Sequence, residues 1–413
     1  MRKRVVITGA GAVSPVGNTL PETWEGLIAG KSGAAPITSF DASTLKTRFA
    51  AEVKGFDITQ HLGSKEGRRL DRFAQFAMVS TLEALDQSGL TATDDNRDRI
   101  GVLVGSGIGG VQTLYDQLEV FRTRGADRVS PFLVPMMITD SAAGNIAIRF
   151  GFRGPNLSIS TACATGSNSI GEAAEMIRRG AADAMVAGAS EAAVVPVAMA
   201  GLNVMTALST RNDDPERASR PFDKDRDGFL IAEGGAVIVL ESLEFARARG
   251  AKILCELTGY GTSDDAFHIS APAENGAGAA ISMKLALQDA GLQPTDISYI
   301  NAHGTSTPLN DKSETLAIKS VFGEFAYKVP ISSTKSMTGH LMGASGSLEA
   351  AVCVELFKHD ILPPTINYET PDPICDLDYI PNHARHAHPK HIMSNSFGFG
   401  GHNATLIFTR FEE

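Results

Sequence analysis

Residues 160–166 read STACATG and residues 333–339 read STKSMTG, so the pattern S-T-x-x-x-T-G occurs twice in the chain. Each copy follows a β-rich run (NLSI and VPIS) and leads to a run of helical character (NSIGEAAEMI and ASGSLEAAVCVEL). In this alignment Cys163 of the first copy corresponds to Ser336 of the second. A repeated strand–turn–helix unit indicates that the chain consists of two duplicated halves.

The rest of the sequence indicates where the halves divide and which fold class they form. We place the first half at residues 1–250, ending after GAVIVLESLEFARARG, and the second at residues 251–413. Helical periodicity is seen in RFAQFAMVSTLEALDQSGL and AAISMKLALQDAGL. Nine runs have the character of strands: RVVITG, RIGVLVGSG, NLSISTA, AMVAGAS, GAVIVLES, ILCELTGYG, ISYINAHG, VPISSTKS and HIMSNSFG. Apolar strands that alternate with helices predict an α/β protein whose sheets are covered on both faces.

Composition and charge exclude several classes of protein. No apolar run in the sequence approaches the roughly 18 residues of a membrane-spanning helix, so we expect no membrane partner. The net charge of -10 disfavours nucleic acid as a partner. The four cysteines form no CxxC pair, which predicts free thiols in a reducing, cytoplasmic setting.

Sequence patterns associated with cofactors and metals are incomplete. GSGIGG at 105–110 fits G-x-G-x-x-G, but no second strand ending in an acidic residue follows it. DKDRDG at 223–228 begins like a calcium-binding loop, but Gly234 stands where the bidentate glutamate is needed. We therefore expect neither a cofactor nor a bound metal.

Cys163 has two possible roles. At a strand-to-helix turn, the free N–H groups of the helix start lower a thiol pKa and stabilise an oxyanion on a substrate. The small neighbours Ala162, Ala164 and Gly166 leave room for substrate atoms. A free cysteine can equally be an inert buried residue, because it packs like a small hydrophobe. The local context leaves both roles open.

Two histidines are candidate partners for Cys163. His303 stands in YINAHGTSTPLND just past a predicted strand, and His340 directly follows the second copy of the repeated pattern. Both have small and polar neighbours, and a duplicated fold would bring their turns to one central site. Lys335 and Glu349 lie close to His340 in the sequence, where they could form an orienting ion pair. A turn-capping role stays open for either histidine alone.

Four segments occur in a fixed order along the chain: STACATGSNSIG, NAHGTSTPLND, STKSMTGHLMGASG and SNSFGFGGHNA. Together they resemble the β-ketoacyl-[acyl-carrier-protein] synthases of the thiolase superfamily, and within them the elongating condensing enzymes. The resemblance runs from RVVITG to LIF. It implies a thiolase-like duplicated αβαβα layered fold, a homodimer, and acyl carrier protein loaded with acyl or malonyl groups as the partner. The implied reaction is the decarboxylative Claisen condensation of fatty acid elongation.

The resemblance also implies roles for the residues of the site. Cys163 would hold the acyl group covalently. Neutral His303 and His340 would donate hydrogen bonds to the enolate oxygen, provided that Nε2 carries the proton. Lys335 would set the electric field of the site, and Glu349 would orient Lys335.

Further residues receive roles in the same way. The backbone N–H groups of Cys163 and Phe399 would bind the oxyanion. Phe399 and Phe229 would act as gates between acylation and condensation. Thr305 and Thr307 would hydrogen-bond the pantetheine arm of the carrier.

The acyl tunnel departs from the family pattern. Ile108 would line the tunnel, and Leu133 and Leu202 stand where phenylalanine is familiar in the family. Smaller walls alter the preferred chain length. Ala271 replaces a hydroxyl residue near the mouth.

Docking charges are predicted in SKEGRRLDR, where Lys65, Arg68 and Arg69 would meet the acidic carrier. Thr206 stands where the family often has a basic residue, which weakens that edge. A solvated helix start would explain the same charges.

Alternatives within the superfamily remain. A polyketide-type ketosynthase or a type I elongating synthase of another chain-length range would share these motifs. A thiolase would have a second cysteine in the loop GFGGHN, and a starter synthase that uses coenzyme A would have Asn in place of His340. A non-catalytic chain-length partner subunit is disfavoured because Cys163 is retained.

Overall fold

Strands and helices alternate along the chain in the computed structural model, which describes residues 2–412. The strands are β1 (Val5–Val13), β2 (Ala35–Pro36), β3 (Phe49–Ala50), β4 (Ile100–Gly105), β5 (Asn156–Leu157), β6 (Ala184–Glu191), β7 (Gly234–Ser242), β8 (Cys255–Asp264), β9 (Tyr299–Asn301), β10 (Ile331–Ser332), β11 (Ile361–Leu362), β12 (Arg385–His386), β13 (His391–Phe397) and β14 (His402–Thr409). The helices are α1 (Leu20–Ile28), α2 (Thr59–Gly67), α3 (Arg72–Ser88), α4 (Val111–Arg124), α5 (Leu133–Met137), α6 (Ser141–Phe150), α7 (Thr165–Arg178), α8 (Pro196–Val204), α9 (Leu243–Ala248), α10 (Ala277–Ala290), α11 (Pro308–Phe322), α12 (Lys335–Thr338) and α13 (Ser345–His359). Among the helices of residues 2–412, none has the length and apolar character needed to cross a bilayer.

Local sequence defines the ends of the helices that support the site. The side chain of Asp71 accepts the N–H of Phe73 at 3.2 Å where α3 begins, and Gly89 ends that helix with φ of 64°. Thr307 caps α11 by accepting the N–H of Asn310 at 3.3 Å. Thr307 therefore positions the helix that follows the His303 loop.

Ten strands form one sheet in which the same arrangement occurs twice. The order is β10-β9-β13-β14-β8-β1-β7-β6-β4-β5. In the first half, β1 pairs antiparallel with β7, and β7 pairs antiparallel with β6. In the second half, β8 pairs antiparallel with β14, and β14 pairs antiparallel with β13. Two parallel pairings complete each half. The central strands β1 and β8 share only the pairs Val6↔Glu256 and Ile7↔Cys255.

The helices form three layers around the two halves of the sheet. α7 and α13 lie between the halves, because each contacts strands of both. α3 and α6 cover the outer face of the first half, and α10 covers the outer face of the second with α11 packed against it. Separate buried apolar clusters fill the central layer and the two outer layers. The predicted duplicated αβαβα fold is confirmed. The boundary at residue 250 stays a prediction, and it falls between the end of α9 and the start of β8.

The two central helices touch near their N-terminal ends, where only glycine fits. A Cβ on Gly166 would lie 2.4 Å from the backbone nitrogen of Ser347, and a Cβ on Gly346 would lie 2.4 Å from Oγ of Ser167. Such distances exclude any side chain without a backbone shift. Close approach of α7 and α13 therefore brings the turns of the two halves together at one place.

The repeat in the sequence is out of register with the repeat in the structure. α7 begins two residues after Cys163, whereas STKSMTG forms the short helix α12, and α13 begins later, at Ser345. Cys163 lies two residues before the start of α7, and the residue two positions before the start of α13 is Gly343. Gly343 is therefore the structural counterpart of Cys163. Ser336 is buried, and its hydroxyl donates to the carbonyl of Ser333 at 2.8 Å. The alignment of Cys163 with Ser336 is therefore wrong, although the duplication itself is correct.

Candidate active site

A cavity of about 340 Å³ reaches from the surface to the buried end of α7, and both halves line it. Exposed residues such as Met205 and Leu309 stand at its mouth. Cys163, His303 and His340 line its inner end and are only 2–4% exposed. The cavity wall also carries four further residues to which the resemblance gave a role: Phe229, Phe399, Thr305 and Thr307. Thr206 and Ala271, where the sequence departs from the family pattern, line it as well.

The turn that presents Cys163 has an unusual backbone. Ala162 adopts a φ of 49°, which is rare for a residue with a side chain and costs about 1–3 kcal/mol. This turn places Cys163 directly before the N-terminus of α7. The backbone N–H groups of Phe399 and of Cys163 itself each lower the pKa of the Cys163 thiol, as donors to its sulfur do. These two donors are the ones that the sequence resemblance implied for an oxyanion site.

The protonation of Cys163 differs from what the sequence predicted. Burial raises the pKa of the Cys163 thiol to about 11, although Lys335 and the N–H of Phe399 each lower it. Loss of hydration outweighs the charge of Lys335 and the nearby backbone N–H groups. The prediction of a lowered thiol pKa is therefore wrong, and the resting residue is a neutral thiol.

The two histidines meet at the sulfur of Cys163. Nε2 of His340 lies 3.0 Å from Sγ of Cys163. The rings of His303 and His340 stand nearly perpendicular, with centroids 5.4 Å apart. Phe229 packs edge-on against His340 at 5.2 Å, and Phe397 packs against His303 at 5.6 Å. Rigid aromatic neighbours therefore define the orientation of both imidazoles.

Each histidine is held by a buried residue that the sequence reasoning missed. The carboxylate of Glu314 accepts the backbone N–H groups of His303 and Gly304, each at 2.8 Å. The hydroxyl of Ser345 lies 2.8 Å from Nδ1 of His340. A signal for Glu314 existed, because an acidic residue on a buried helix face beside the predicted His303 loop needs a polar partner. Nothing in the local sequence distinguished Ser345.

Lys335 and Glu349 form the predicted ion pair, and both side chains are 2% exposed. Burial raises the pKa of the Glu349 carboxyl, and the Lys335 ammonium opposes that rise. Burial also lowers the pKa of His303 and of His340 well below the usual value, and the charge of Lys335 lowers both further. Both imidazoles are therefore neutral, the form in which one ring nitrogen donates and the other accepts.

Three predicted tunnel residues lie outside this cavity. Ile108 follows β4 and is 40% exposed, and Leu133 begins α5 and is half-buried. Leu202, on α8, is buried in an apolar cluster with Phe229 and Met342. Within one chain the structure therefore brings Leu202 up to the cavity wall but leaves Ile108 and Leu133 partly open.

Glu191 is a further buried carboxylate that the sequence reasoning missed. It accepts the hydroxyl of Ser106 and the N–H of Gly107 at 2.8 Å, and the N–H of Gly343 at 3.1 Å. Burial raises the pKa of Glu191 to about 7. This carboxylate ties the loop that carries Ile108 to the turn that follows His340.

The predicted docking charges do not line the cavity. Lys65, Arg68 and Arg69 are exposed on α2 and the turn after it. Among residues 2–412, none of the three forms an ion pair, and the guanidinium of Arg69 lies 5.5 Å from the ring centroid of Phe132. This surface is a cationic patch beside an exposed aromatic ring.

Comparison with known families agrees with the two-half architecture. The family model described as beta-ketoacyl synthase, N-terminal domain, matches residues 2–246, and the one described as beta-ketoacyl synthase, C-terminal domain, matches residues 254–369. The chain belongs to the beta-ketoacyl synthase family. It is therefore a condensing enzyme of the acyltransferase class.

Relatives of this beta-ketoacyl synthase match it from end to end. A Synechocystis sp. protein named 3-oxoacyl-[acyl-carrier-protein] synthase 2 is 52% identical, with 100% of this chain and 99% of that protein covered. A Staphylococcus aureus protein of the same name is 51% identical, with 99% of each chain covered.

Solved structures share the fold of this beta-ketoacyl synthase. A ketosynthase in complex with its type II polyketide acyl-carrier protein superposes with a TM-score of 0.92 at 35% identity, covering 100% of both chains. A beta-ketoacyl synthase from Burkholderia phymatum gives a TM-score of 0.91 at 37% identity, covering 99% of this chain and 100% of that one.

Proposed function

We propose that this chain carries out the reaction of a 3-oxoacyl-[acyl-carrier-protein] synthase II in fatty acid elongation. It would condense malonyl-[acyl-carrier-protein] with an acyl group held on Cys163. The contact of 3.0 Å between Sγ of Cys163 and Nε2 of His340, at the inner end of a cavity open to the surface, carries the proposal. Full-length relatives of that name support the same reaction.

The first half-reaction loads Cys163. Its sulfur attacks the carbonyl carbon of an acyl-carrier thioester, and the oxyanion is bound by the N–H groups of Cys163 and Phe399. The bond from the carbonyl carbon to the carrier sulfur then breaks. Because the resting thiol is neutral, its proton leaves with the carrier sulfur, and the exchange consumes no net proton.

The second half-reaction uses the neutral histidines. The malonyl thioester loses CO₂, and the electron pair of the broken C–C bond forms an enolate whose oxygen accepts hydrogen bonds from His303 and His340. The enolate carbon attacks the acyl thioester on Cys163, and the 3-oxoacyl product leaves on the carrier. The cysteine thiolate then takes one proton from solvent. Lys335 supplies fixed positive charge near the developing anion.

The carrier would deliver its substrate through the cavity mouth. Thr305 and Thr307 bring their hydroxyl oxygens within 2.9 Å of each other on the cavity wall, where a pantetheine arm would pass. Lys65, Arg68 and Arg69 would attract an acidic carrier against the overall charge of -10. The solved ketosynthase in complex with its acyl-carrier protein supports this class of partner. The free thiols of all four cysteines are compatible with a cytoplasmic location.

A homodimer would cover one apolar face of the chain. α4 has no buried residue, and its Leu118 and Phe121 are each 57% exposed. β5 ends the sheet with both residues exposed. An open strand edge beside exposed apolar side chains is a common subunit interface. A second copy placed there would also close the partly open surface at Ile108 and Leu133.

The proposed reaction is tested with purified chain, an acyl-carrier protein and malonyl-carrier protein. Mass spectrometry of the carrier should show a 3-oxoacyl product two carbons longer, with one CO₂ released per product. Failure to form this product from carrier-bound substrates would contradict the proposal. The polyketide alternative, supported by the fold of the polyketide ketosynthase, would instead give repeated condensation without reduction and a chain with several oxo groups.

A further inference from the structure

The surroundings of His340 contain a hydroxyl that can define which ring nitrogen is protonated. Ser345, the first residue of α13, is 2% exposed and places Oγ 2.8 Å from Nδ1 of His340. The same oxygen accepts the backbone N–H of Leu341 at 2.9 Å. On the opposite side of the ring, Nε2 lies 3.0 Å from Sγ of Cys163.

Counting donors and acceptors distinguishes the two neutral tautomers. Within residues 2–412, the hydroxyl of Ser345 has no acceptor other than Nδ1 of His340. If Nδ1 carried the proton, the serine oxygen would accept two N–H groups and its own O–H would be buried without an acceptor. Such a group costs about 1–3 kcal/mol. Donation from Ser345 to Nδ1 satisfies both groups, and the single imidazole proton then lies on Nε2, facing the sulfur of Cys163. The neutral thiol of Cys163 could donate to Nε2 only in the other tautomer, but an S–H is a weak donor and costs less to leave unpaired than the serine O–H.

We propose that Ser345 is a positioning residue that keeps the proton of His340 on Nε2. The inference deepens the proposed function, on which its catalytic consequence rests, because only Nε2–H can donate to the enolate oxygen. His303 is held differently, since its Nδ1 is buried without a hydrogen-bond partner in residues 2–412 and Glu314 binds only its backbone. The two histidines therefore owe their orientation to different groups.

The proposal predicts different effects of a change at Ser345 on the two half-reactions. The proton on Nε2 is needed when negative charge develops during malonyl decarboxylation, whereas the oxyanion of acylation is bound by backbone N–H groups. Replacement Ser345→Ala should therefore slow decarboxylation about ten-fold. Acylation of Cys163 and the KM for the acyl carrier should stay close to the parent values. A general loss of packing would affect both half-reactions alike.

The tautomer is read directly by NMR of the full chain labelled with ¹⁵N-histidine. The His340 signals are identified by their loss in His340→Gln. The parent should show a proton on Nε2 with Nδ1 as acceptor, Ser345→Thr should keep this pattern, and Ser345→Ala should show both tautomers. A proton on Nδ1 in the parent, or an unchanged pattern in Ser345→Ala, would overturn the proposal.

Ser347→Ala is the matched control. Ser347 is also a buried serine in the first turn of α13, but its hydroxyl donates to the carbonyl of Ala344 at 2.9 Å and that of Ala189 at 3.2 Å. Its replacement should change neither the tautomer nor the ratio of the two half-reactions. The NMR experiment needs no turnover, so a chain that shows the expected tautomers without condensing carrier substrates would contradict the proposed function alone.

Discussion

The turn around Cys163 and the turn that leads to His340 lie at the N-terminal ends of the two central helices, but their residues differ in kind. The first turn consists of small residues, and a φ of 49° at Ala162 exposes one thiol to the cavity. The second is longer and places Lys335 and His340 in buried positions. The two duplicated halves therefore place equivalent turns at the site, but the turn of the first half carries the thiol and the turn of the second carries Lys335 and His340.

This difference also separates two ways of stabilising negative charge. Near Cys163 the donors are backbone N–H groups, whose position depends on the turn and on the loop of Phe399. In the second half the donors are side chains, and their protonation depends on their burial and on the charge of Lys335. Variants of the second turn should therefore impair decarboxylation much more than acylation.

The largest effect is expected from removing either imidazole. His303→Ala and His340→Ala should each slow CO₂ release from malonyl-carrier protein by roughly 10²–10³-fold, because an electrostatic donor to the enolate is lost. Acyl-enzyme should still form on Cys163, as measured by intact mass. The exposed His386, on β12, provides the control His386→Ala, which should change neither rate. Equal loss of both half-reactions would contradict the division of labour between the turns.

The next effect concerns the buried ion pair of the second turn. Lys335→Met leaves Glu349 without its cation at 2% exposure, so the free energy of unfolding should fall by about 3–5 kcal/mol in urea denaturation. A surface pair offers a control: Arg153 lies 3.1 Å from Asp98 with both side chains 64% exposed, so Arg153→Met should cost at most about 1 kcal/mol. Adding Glu349→Gln to Lys335→Met should cost less than the two single changes added together. Full additivity would argue against a coupled pair.

The smallest effect is a pH dependence that should be nearly flat. Burial and the charge of Lys335 lower the pKa of both histidines, so their neutral forms persist at pH values where an ordinary histidine, with a pKa of about 6.5, is protonated. Decarboxylation by the acylated enzyme should therefore change less than about two-fold between about pH 7.5 and pH 6. A loss of rate with a midpoint near pH 6.5 would show ordinary imidazoles. Lys335→Met removes a positive charge that lowers the pKa of both histidines, so the loss of rate at low pH should begin at a higher pH in this variant.

Sequence reasoning reached the architecture because the long strands β1, β4, β6 and β7 are buried over their whole length and are mostly apolar. Every run predicted as a strand overlaps a strand of the ten-stranded sheet, and the strand of that sheet that was missed is β14, which starts in the polar, glycine-rich segment GFGGHNAT. The two-residue strands β2, β3, β11 and β12 of the two small sheets were missed as well. Periodicity also found α3, α7, α10 and α13. The register of the repeat could not be predicted from the sequence, because a match of seven residues does not reveal the short helix α12 that lies between β10 and α13.

The same limits apply within the site. The positions of Cys163, His303 and His340 could be anticipated from motif order, because turns at the ends of strands converge in this fold. The raised pKa of the thiol could not, because burial depends on the whole surrounding protein. The place of Glu314 on a helix beside the His303 loop was a usable signal, but its partner, the backbone N–H of His303, is visible only in three dimensions. The contact of Ser345 with Nδ1 of His340 has no signal in the sequence at all.

The central claim is that Cys163, and no residue of the second turn, carries the acyl chain. The direct test is peptide mapping by mass spectrometry after incubation with an acyl-carrier protein. The acyl group should be found on the peptide containing Cys163, should be absent in Cys163→Ser, and should persist in Ser336→Ala. An acyl group on Cys255, Cys353 or Cys375, or normal acylation of Cys163→Ser, would contradict the account.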